Sequence, residues 1–465
     1  MPEPRLIDLT LDEASQRIRR RELSPVALAE AVLARMDALE PRINAYTTRV
    51  PAEVVLEAAR GAEREIAGGT WRGPLHGIPA GVKDLIDTAG LRTTYGSGMF
   101  TDHVPTRDGA MPERLRAAGA IIVGKTATHE LGKGITTNNY FYGATHNPWN
   151  LDHVPGGSSG GSAAALAAGM GPLQVGTDGG GSIRIPAAFC GLVGYKPTRG
   201  LLSNRGQFGN GNVSYSVPGP LARTVRDAAL VGQALAGFDP EYVFSRPGPP
   251  PDLLAELDAG VRRLRVGVSP DFLAAEPDAP VRAAYDATLA RLATLGAEIV
   301  ELRMPNHALV VRAIGVAFST EGDMQLAALA GDRPRVFSPL VTRMQEGGRA
   351  ADVAMCVRAI QERARIEQDY AAAFLAADVL LLPTVPVTAP RMDADEMAST
   401  LRCVGYTGAA NLIGMPAVAL PAGVAGGLPV SVQVCAPLGA DARALRVAAA
   451  LEQAAPEHRT RIPAL

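Results

Sequence analysis

Residues 155–162 of this chain spell Pro155-Gly-Gly-Ser-Ser-Gly-Gly-Ser162, and a second glycine-rich run, Gly176-Thr-Asp-Gly-Gly-Gly-Ser-Ile-Arg-Ile-Pro186, follows shortly after. Each run holds four glycines, which allow a backbone to approach a neighbour closely or to adopt positive φ. Either run alone is explained equally well by a tight turn and by a functional loop. Because both also carry a serine ahead of a helical segment, Ser158 and Ser182, together they indicate a reactive site.

The second run offers a specific chemistry. The backbone N–H groups of residues 179–181 can point into one concavity, with Ser182 at the start of a helix whose dipole favours negative charge. This arrangement is typical of an oxyanion hole with a hydroxyl at its centre. The hydroxyl needs a base. The seven histidines lie in no hydrolase motif, and the chain has no G-x-S-x-G elbow.

Lysine is rare in this chain and therefore informative. Only Lys83, Lys125, Lys133 and Lys196 occur among 45 basic residues. Lys83 closes an apolar stretch over 77–84, where a charged lysine is costly unless its pKa falls, and a neutral lysine is a general base. The alternative is a buried structural ion pair, for example with Asp84, and the residues alone leave both open.

Outward from these loops, short apolar runs alternate with helical segments, which predicts a largely parallel sheet covered on both faces. The first seventy residues are predicted to be amphipathic helices that begin at Thr10 and at Ser24-Pro25. The predicted strands lie at 78–86, 121–123, 173–176, 192–195, 264–268, 299–302, 379–382, 417–420 and 430–434.

Composition excludes several classes of protein. Hydrophobic residues make up 47% and charged residues 20%, as in globular chains, and the four cysteines form no CxxC pair that would indicate a zinc ribbon or disulfide scaffold. The net charge is −2, and the one basic run, at 19–21, is too short to favour nucleic acid as main ligand. No signal peptide or 18-residue apolar stretch is evident, so we expect a soluble cytoplasmic protein.

Lys83 and the runs Gly-Gly-Ser158-Ser159-Gly-Gly-Ser162 and Gly-Gly-Ser182-x-Arg184-x-Pro186 together resemble the amidase signature family of Ser-Ser-Lys hydrolases. The similarity extends from about Pro74 to Gly200, with weaker matches beyond. It implies an α/β amidase-signature fold with a large mixed, mostly parallel sheet covered by helices on both faces. One domain over 1–465 is expected, with N-terminal helices in 1–70, the signature core in 71–205, and remaining sheet, helices and pocket loops in 206–465.

Residue by residue, the resemblance implies that Ser182 is the nucleophile and Lys83 the base. Ser158, on a cis peptide, would relay the proton between them. All three positions keep the required chemistry, which disfavours a catalytically dead binding module. The implied oxyanion donors are the backbone N–H groups of Gly179, Gly180 and Gly181.

The surroundings of these residues follow from the same resemblance. Family members usually carry Thr, Val or Ile where this chain has Gly179, so a more flexible loop is expected here. Thr177 is expected near Ser158. Asp178 and Arg184 are expected to hold the loop rather than to touch substrate.

Two motif-like stretches carry other interpretations. Gly119-Ala-Ile-Ile-Val-Gly-Lys-Thr126 fits the P-loop expression, but its variable residues are those of a strand, which disfavours nucleotide binding. His129-Glu130 lacks the second histidine of H-E-x-x-H, since Lys133 stands there. No metal and no cofactor are therefore expected.

The resemblance leaves a stand-alone amidase and the A subunit of a tRNA-dependent glutamine amidotransferase as alternatives. The amidotransferase protein usually carries an Asp-Gly-x-Arg run mid-chain, and none lies between Gly315 and Arg349. It also usually has an acid ahead of its Asn-Leu-x-Gly segment, and residues 401–406 contain none. We therefore expect a stand-alone C–N hydrolase for small neutral aryl or alkyl amides, with carbamates (urethanase activity) and esters as further substrates.

The expected partners are a small-molecule amide, no nucleic acid and no membrane, with the chain as a monomer or homodimer. The substrate pocket is expected in segments 98–100, 139–142, 206–216, 314–318 and 404–406, with 206–216 as a mobile lid. Core packing explains the same side chains equally well. The candidate pocket residues are Met99, Tyr140, Tyr142, Phe208, Phe318 and Tyr406.

Overall fold

The computed structural model describes residues 5–208, 213–273, 276–458 and 462–463. The strands are β1 (Tyr46–Arg49), β2 (Pro79–Lys83), β3 (Ile121–Thr126), β4 (Asn138–Asn139), β5 (Gly143–Ala144), β6 (Leu173–Asp178), β7 (Val193–Lys196), β8 (Val217–Ala222), β9 (Arg265–Val268), β10 (Glu298–Glu301), β11 (Val379–Pro383), β12 (Ala417–Ala425) and β13 (Leu428–Cys435). The α-helices are α1 (Leu11–Arg19), α2 (Pro25–Ile43), α3 (Ala52–Ala67), α4 (Ala110–Ala117), α5 (Gly160–Ala167), α6 (Arg184–Cys190), α7 (Val225–Leu235), α8 (Ala279–Thr294), α9 (Val310–Ala330), α10 (Pro339–Arg349), α11 (Val353–Ala376), α12 (Glu396–Ile413) and α13 (Asp441–Ala454).

Eleven of these strands form one mixed sheet, in the order β1-β3-β2-β6-β8-β7-β12-β13-β11-β9-β10. Parallel pairing joins β3, β2 and β6 in one block and β10, β9 and β11 in another. Antiparallel strands connect the two blocks and add β1 at one edge. The predicted large mixed α/β sheet is confirmed, and its parallel pairs lie in these two blocks.

Helices cover both faces of this sheet. Alternate residues of β11 fall into two different apolar clusters, because successive strand side chains point to opposite faces. Val379 and Leu381 pack with residues of α7, α8 and α13, whereas Leu380 and Leu382 pack with residues of α9, α11 and α12. The near-continuous apolar strands of the sequence are therefore explained by burial from two sides.

Helices α1 and α2 begin where the sequence predicts, but strand β1 interrupts the helices that were expected over the first seventy residues. Thr10 and Glu13 form a complete capping box at α1, and the Ser24 side chain accepts hydrogen bonds from the first turn of α2. Pro41 does not end α2, which continues through it to Ile43. None of the described helices is long and apolar enough to cross a membrane.

Strand β8 departs from the sequence prediction, which placed no strand at 217–222. It lies centrally, between β6 and β7, although Pro218 and Pro220 each lack a ladder donor. The two prolines are two residues apart, so both missing N–H groups fall on the same side of the strand. Strand β7 pairs only with Leu221 and Ala222, beyond the prolines.

Candidate active site

Two neighbouring parallel strands bring Lys83, the expected base, close to the loop that carries Ser182, the expected nucleophile. Strand β2 ends at Lys83 and β6 ends at Asp178, with Val82 opposite Val175. Because parallel strands end at the same edge of a sheet, Lys83 emerges beside Thr177 and the loop that carries Ser182. Binding crevices of α/β proteins lie at such an edge.

A close-packed loop carries Ser158 to the same edge. It precedes α5, whose eight residues, Gly-Gly-Ser-Ala-Ala-Ala-Leu-Ala, are all buried. A Cβ on Gly161 would lie 2.3 Å from the Ala127 nitrogen, so only glycine permits this contact. The Gly157–Ser158 peptide is cis, as the resemblance implied. The Ser159 N–H donates to the Ser182 carbonyl at 3.2 Å and so joins the two serine loops.

Lys83 points at the Ser158 hydroxyl. Its Nζ donates to Ser158 Oγ at 2.7 Å and to Thr177 Oγ1 at 2.9 Å. Complete burial lowers the pKa of Lys83 well below the usual value, and the more distant Asp178 only partly opposes this. Asp84, the alternative ion-pair partner, turns to Thr94, whose N–H donates to its carboxylate at 3.1 Å. The arrangement can pass a proton from a serine hydroxyl to a neutral amine.

Asp178 and Arg184 lie behind the nucleophile loop. The Gly181 N–H donates to Asp178 Oδ1 at 2.7 Å and the Ile183 N–H donates to Oδ2 at 3.2 Å. Arg184 donates to both carboxylate oxygens at 3.0 Å. Burial alone would raise the pKa of Asp178, but the charge and hydrogen bonds of Arg184 hold it well below its usual range. The buried ion pair therefore fixes the turn that presents Ser182.

This turn changes the expected set of oxyanion donors. The Gly181 N–H is already engaged by Asp178, so it is not free to bind a substrate oxygen as the resemblance implied. The Gly179 and Gly180 N–H groups donate to no atom of the described residues. Of the three amides that the resemblance implied, these two are the ones that the geometry leaves for an oxyanion.

Ser158 and Ser182 line one cavity. Its apolar wall comes from α9 and from loops, including the loop that follows β2, and its described polar members include one charged residue, Lys133. The described lining residues are Leu85, Leu131, Gly132, Lys133, Ser158, Thr177, Gly179, Ser182, Gln207, Phe208, Val213, Tyr215, Ser216, Phe318, Gly322 and Gln325.

An aromatic pair explains the glycine at position 179. Tyr215 and Phe318 stack at 4.4 Å between ring centroids, directly against this loop. A Cβ on Gly179 would lie 2.9 Å from Phe318 Cζ and 3.2 Å from the Tyr215 ring. The space that a Thr, Val or Ile side chain would need is thus occupied by the rings, which pack against the loop instead.

This packing predicts that Gly179→Val lowers kcat/KM by about 10- to 100-fold, because a bulkier side chain displaces the oxyanion donors. The double variant Gly179→Val/Phe318→Ala should recover most of that loss, since it restores the space. Steady-state kinetics on the three proteins, with Phe318→Ala as the control, measure this coupling. A Gly179→Val enzyme with wild-type kcat/KM would show that the rings do not constrain the loop.

Among the six side chains expected in the pocket, the structure places Phe208 and Phe318 in the cavity wall. The other four lie elsewhere among the described residues. Met99 is buried in a cluster with Tyr95. Tyr140 is 68% exposed. The Tyr142 hydroxyl donates to the Ser97 carbonyl, and Tyr406 is buried in α12. Residues 209–212 of the expected lid lie outside the described residues.

Sequence reasoning missed part of the cavity. Gln325 on α9 lies outside every segment expected to line the pocket and carries no motif. Gln207, Tyr215 and Ser216 lie in the expected segment 206–216 but are not among the six candidate side chains. Glu321 on α9 fixes segment 213–216 by accepting a hydrogen bond from the Ser214 N–H at 2.6 Å. The sequence could have identified Lys133 as a candidate site residue, because it is one of only four lysines in the chain.

Comparison with known proteins decides the family. The family model described as Amidase matches residues 27–445. The chain belongs to the amidase family. This amidase is 36% identical to the A subunit of glutamyl-tRNA(Gln) amidotransferase from Carboxydothermus hydrogenoformans, covering 97% of this chain and 98% of the relative. For the Roseiflexus sp. protein of the same name the identity is 39%, covering 99% of both chains.

Solved structures agree with this assignment. The crystal structure of the same amidotransferase protein from Thermotoga maritima matches this amidase with a TM-score of 0.84 at 29% identity, covering 100% of this chain and 99% of that one. A bacterial aryl acylamidase of the amidase signature family matches with a TM-score of 0.90 at 26% identity, covering 98% of each chain. The recognised family and fold are therefore confirmed.

The comparisons correct two expectations about this amidase. A stand-alone hydrolase of small neutral amides or carbamates was expected, but its full-length relatives are named as one subunit of an amidotransferase. A small-molecule substrate without nucleic acid, and a monomer or homodimer, were also expected, and the same relatives are named for glutamyl-tRNA(Gln). The first expectation was wrong because it relied on the absence of two short motifs, at 315–349 and 401–406, which does not outweigh similarity over the whole chain. The expectation of no nucleic acid was wrong because it relied on the net charge of −2 and the short basic run, which describe this chain alone.

Proposed function

We propose that this amidase is the A subunit of a glutamyl-tRNA(Gln) amidotransferase, which releases ammonia from the side-chain amide of glutamine for transfer to glutamyl-tRNA(Gln). The observation that carries the proposal is 36–39% identity over nearly the whole of both chains to relatives of that name. The Lys83, Ser158 and Ser182 side chains support it, since ammonia release from an amide needs a nucleophile and a base.

The proposed reaction begins at Ser182. Its Oγ attacks the amide carbon while its proton passes to Ser158 and the Ser158 proton passes to neutral Lys83. The Gly179 and Gly180 N–H groups stabilise the oxyanion that forms. The C–N bond then breaks, and the departing nitrogen takes a proton back through Ser158, which leaves an acyl ester on Ser182 and free ammonia. Water hydrolyses the ester by the same proton path.

The charge of the chain bears on where the tRNA would bind. This chain carries a net charge of −2 and no long basic run. Phosphate contacts dominate the affinity of proteins for nucleic acid and need lysine and arginine clusters. We therefore place the tRNA contacts mainly on the other proteins of the complex.

Reconstitution with those other proteins tests this function. With glutamine as donor, the complex should convert glutamyl-tRNA(Gln) to glutaminyl-tRNA(Gln). The Ser182→Ala complex should lose this reaction but keep product formation from an ammonium salt, because the proposed role of Ser182 is confined to the release of ammonia. If the wild-type complex forms product from the ammonium salt and none from glutamine, this chain is not the one that releases ammonia.

A further inference from the structure

Lys133 is the one charged residue among the described residues that line the cavity with Ser158 and Ser182. Its side chain is 2% exposed, and all four lysines of the chain are buried. None of the other three is among the described lining residues. Lys83 lies behind the lining and contacts Ser158 and Thr177, whereas Lys125 contacts Thr88 and Lys196 contacts the Pro197 carbonyl. A buried ammonium group is costly unless a partner offsets its desolvation.

The position of Lys133 relates it directly to the reacting groups. A Cβ on the preceding residue, Gly132, would lie 3.6 Å from Ser158 Oγ. The Lys133 ammonium packs against α9, which forms part of the cavity wall. A Cβ added to Gly322 of this helix would lie 3.6 Å from Lys133 Nζ. A substrate whose amide carbon meets Ser182 therefore occupies a cavity that holds a fixed positive charge.

One protein group partly balances that charge. Lys133 Nζ donates to Asp323 Oδ1 at 3.2 Å, and this is its only hydrogen bond to the described residues. An ammonium group has three donors. Burial lowers the pKa of Lys133, and Asp323 opposes the shift. Donors remain for a second anionic acceptor within the cavity.

We propose that Lys133 is the specificity residue of this site and binds a carboxylate at the far end of the substrate's acyl chain, with Asp323 as its positioning partner. The proposal rests on the proposed function and deepens it, because glutamine is an amide that carries such a carboxylate. The proposal also assigns the recognition of the carboxylate to a residue outside segments 315–349 and 401–406. Those are the two segments in which the charged residues usual in an amidotransferase A subunit are missing. A charged hydrogen bond to carboxylate favours this class of substrate over a neutral amide.

Matched substrates isolate the carboxylate. Glutarate monoamide and butanamide present the same primary amide on a short alkyl chain, and only the first has a carboxylate. We expect Lys133→Met, a substitution that keeps an unbranched side chain, to lower kcat/KM for glutarate monoamide by about 30- to 100-fold and for butanamide by less than about threefold. Lys133→Arg should keep more of the activity on glutarate monoamide than Lys133→Met, because it keeps the charge.

Two further variants separate recognition from folding. Lys133→Met/Asp323→Asn removes both charges and should show the same change in substrate ratio if lost carboxylate binding is the cause. Lys125→Met makes the same substitution at a buried lysine outside the cavity lining and should leave the substrate ratio unchanged. Equal losses on both substrates in Lys133→Met would overturn the specificity role.

A binding measurement tests the same carboxylate preference without relying on turnover by the isolated chain. The Ser182→Ala protein should bind glutarate monoamide more tightly than butanamide by calorimetry, and Lys133→Met should remove the difference. Equal binding of the two amides by Ser182→Ala would overturn the proposal. Failure of the proposed function has a different signature, namely no glutamine-dependent product in the reconstituted complex while the carboxylate preference still depends on Lys133.

Discussion

Ser182→Ala is expected to lower kcat for ammonia release by about 10⁵- to 10⁶-fold, the scale on which serine hydrolases lose activity with their nucleophile. No other hydroxyl replaces it, because the ion pair between Asp178 and Arg184 holds the turn that presents Ser182 at the cavity. Ammonia release from glutamine, measured on the reconstituted complex, checks this result.

Ser162→Ala is the matched control for that experiment. Ser162 lies in the neighbouring glycine-rich run, and its hydroxyl is 2.6 Å from Thr126 Oγ1 in the buried interior. Its loss should cost about 1 kcal/mol of stability and leave kcat within about tenfold of wild type. A Ser182→Ala enzyme that keeps more than about one hundredth of the wild-type kcat would remove Ser182 from the nucleophile role.

Lys83→Met is expected to lower kcat by about 10³- to 10⁵-fold, and Lys83→Arg should not restore it. Arginine keeps its proton at any pH near neutral and cannot accept the one from Ser158. The wild-type kcat/KM should rise with pH through the pKa of Lys83, which burial places well below the usual lysine value. Rate–pH profiles of the three proteins measure this, and a Lys83→Arg enzyme near wild-type rate would exclude the base role.

The same lysine has a stability cost. The folded chain holds Lys83 neutral at pH values where the unfolded chain binds its proton. The contribution of Lys83 to the free energy of unfolding therefore rises with pH between the folded and unfolded pKa values. Lys83→Met removes that cost and should raise the midpoint of thermal unfolding at pH 7 while activity is lost. A lower midpoint for Lys83→Met would indicate that Lys83 is charged and paired in the folded enzyme.

Local patterns predicted the part of the fold that surrounds the reacting groups. Strands β2 and β6 are buried on both sides and therefore appear as apolar runs, and the glycines that follow β6 mark the turn to Ser182. Strand β8 was not predictable, because its two prolines contradict a central strand until the neighbouring pairing is known. A strand that depends on its partners carries little local signal.

The cavity wall was less predictable than the proximity of Lys83, Ser158 and Ser182. Phe318, Gly322 and Gln325 lie on α9 at spacings of three and four residues, which places them on one helix face. Only the packing of α9 against segment 213–216 turns that face toward Ser182. Tyr140 and Tyr142 looked equally suitable as aromatic residues near a loop, and the structure turns them to other surroundings.

The most direct test of this account is to find which residue becomes covalently modified. A fluorophosphonate reacts covalently with an activated serine at the oxyanion hole. The tryptic peptide over 134–184 contains no internal lysine or arginine, so it holds Ser158 and Ser182 together. Fragmentation of this peptide is therefore needed to locate the label. We expect one label per chain on Ser182, absent in Ser182→Ala and much slower to form in Lys83→Met. A label on Ser158 or another residue, at the same rate in Lys83→Met as in the wild type, would contradict it.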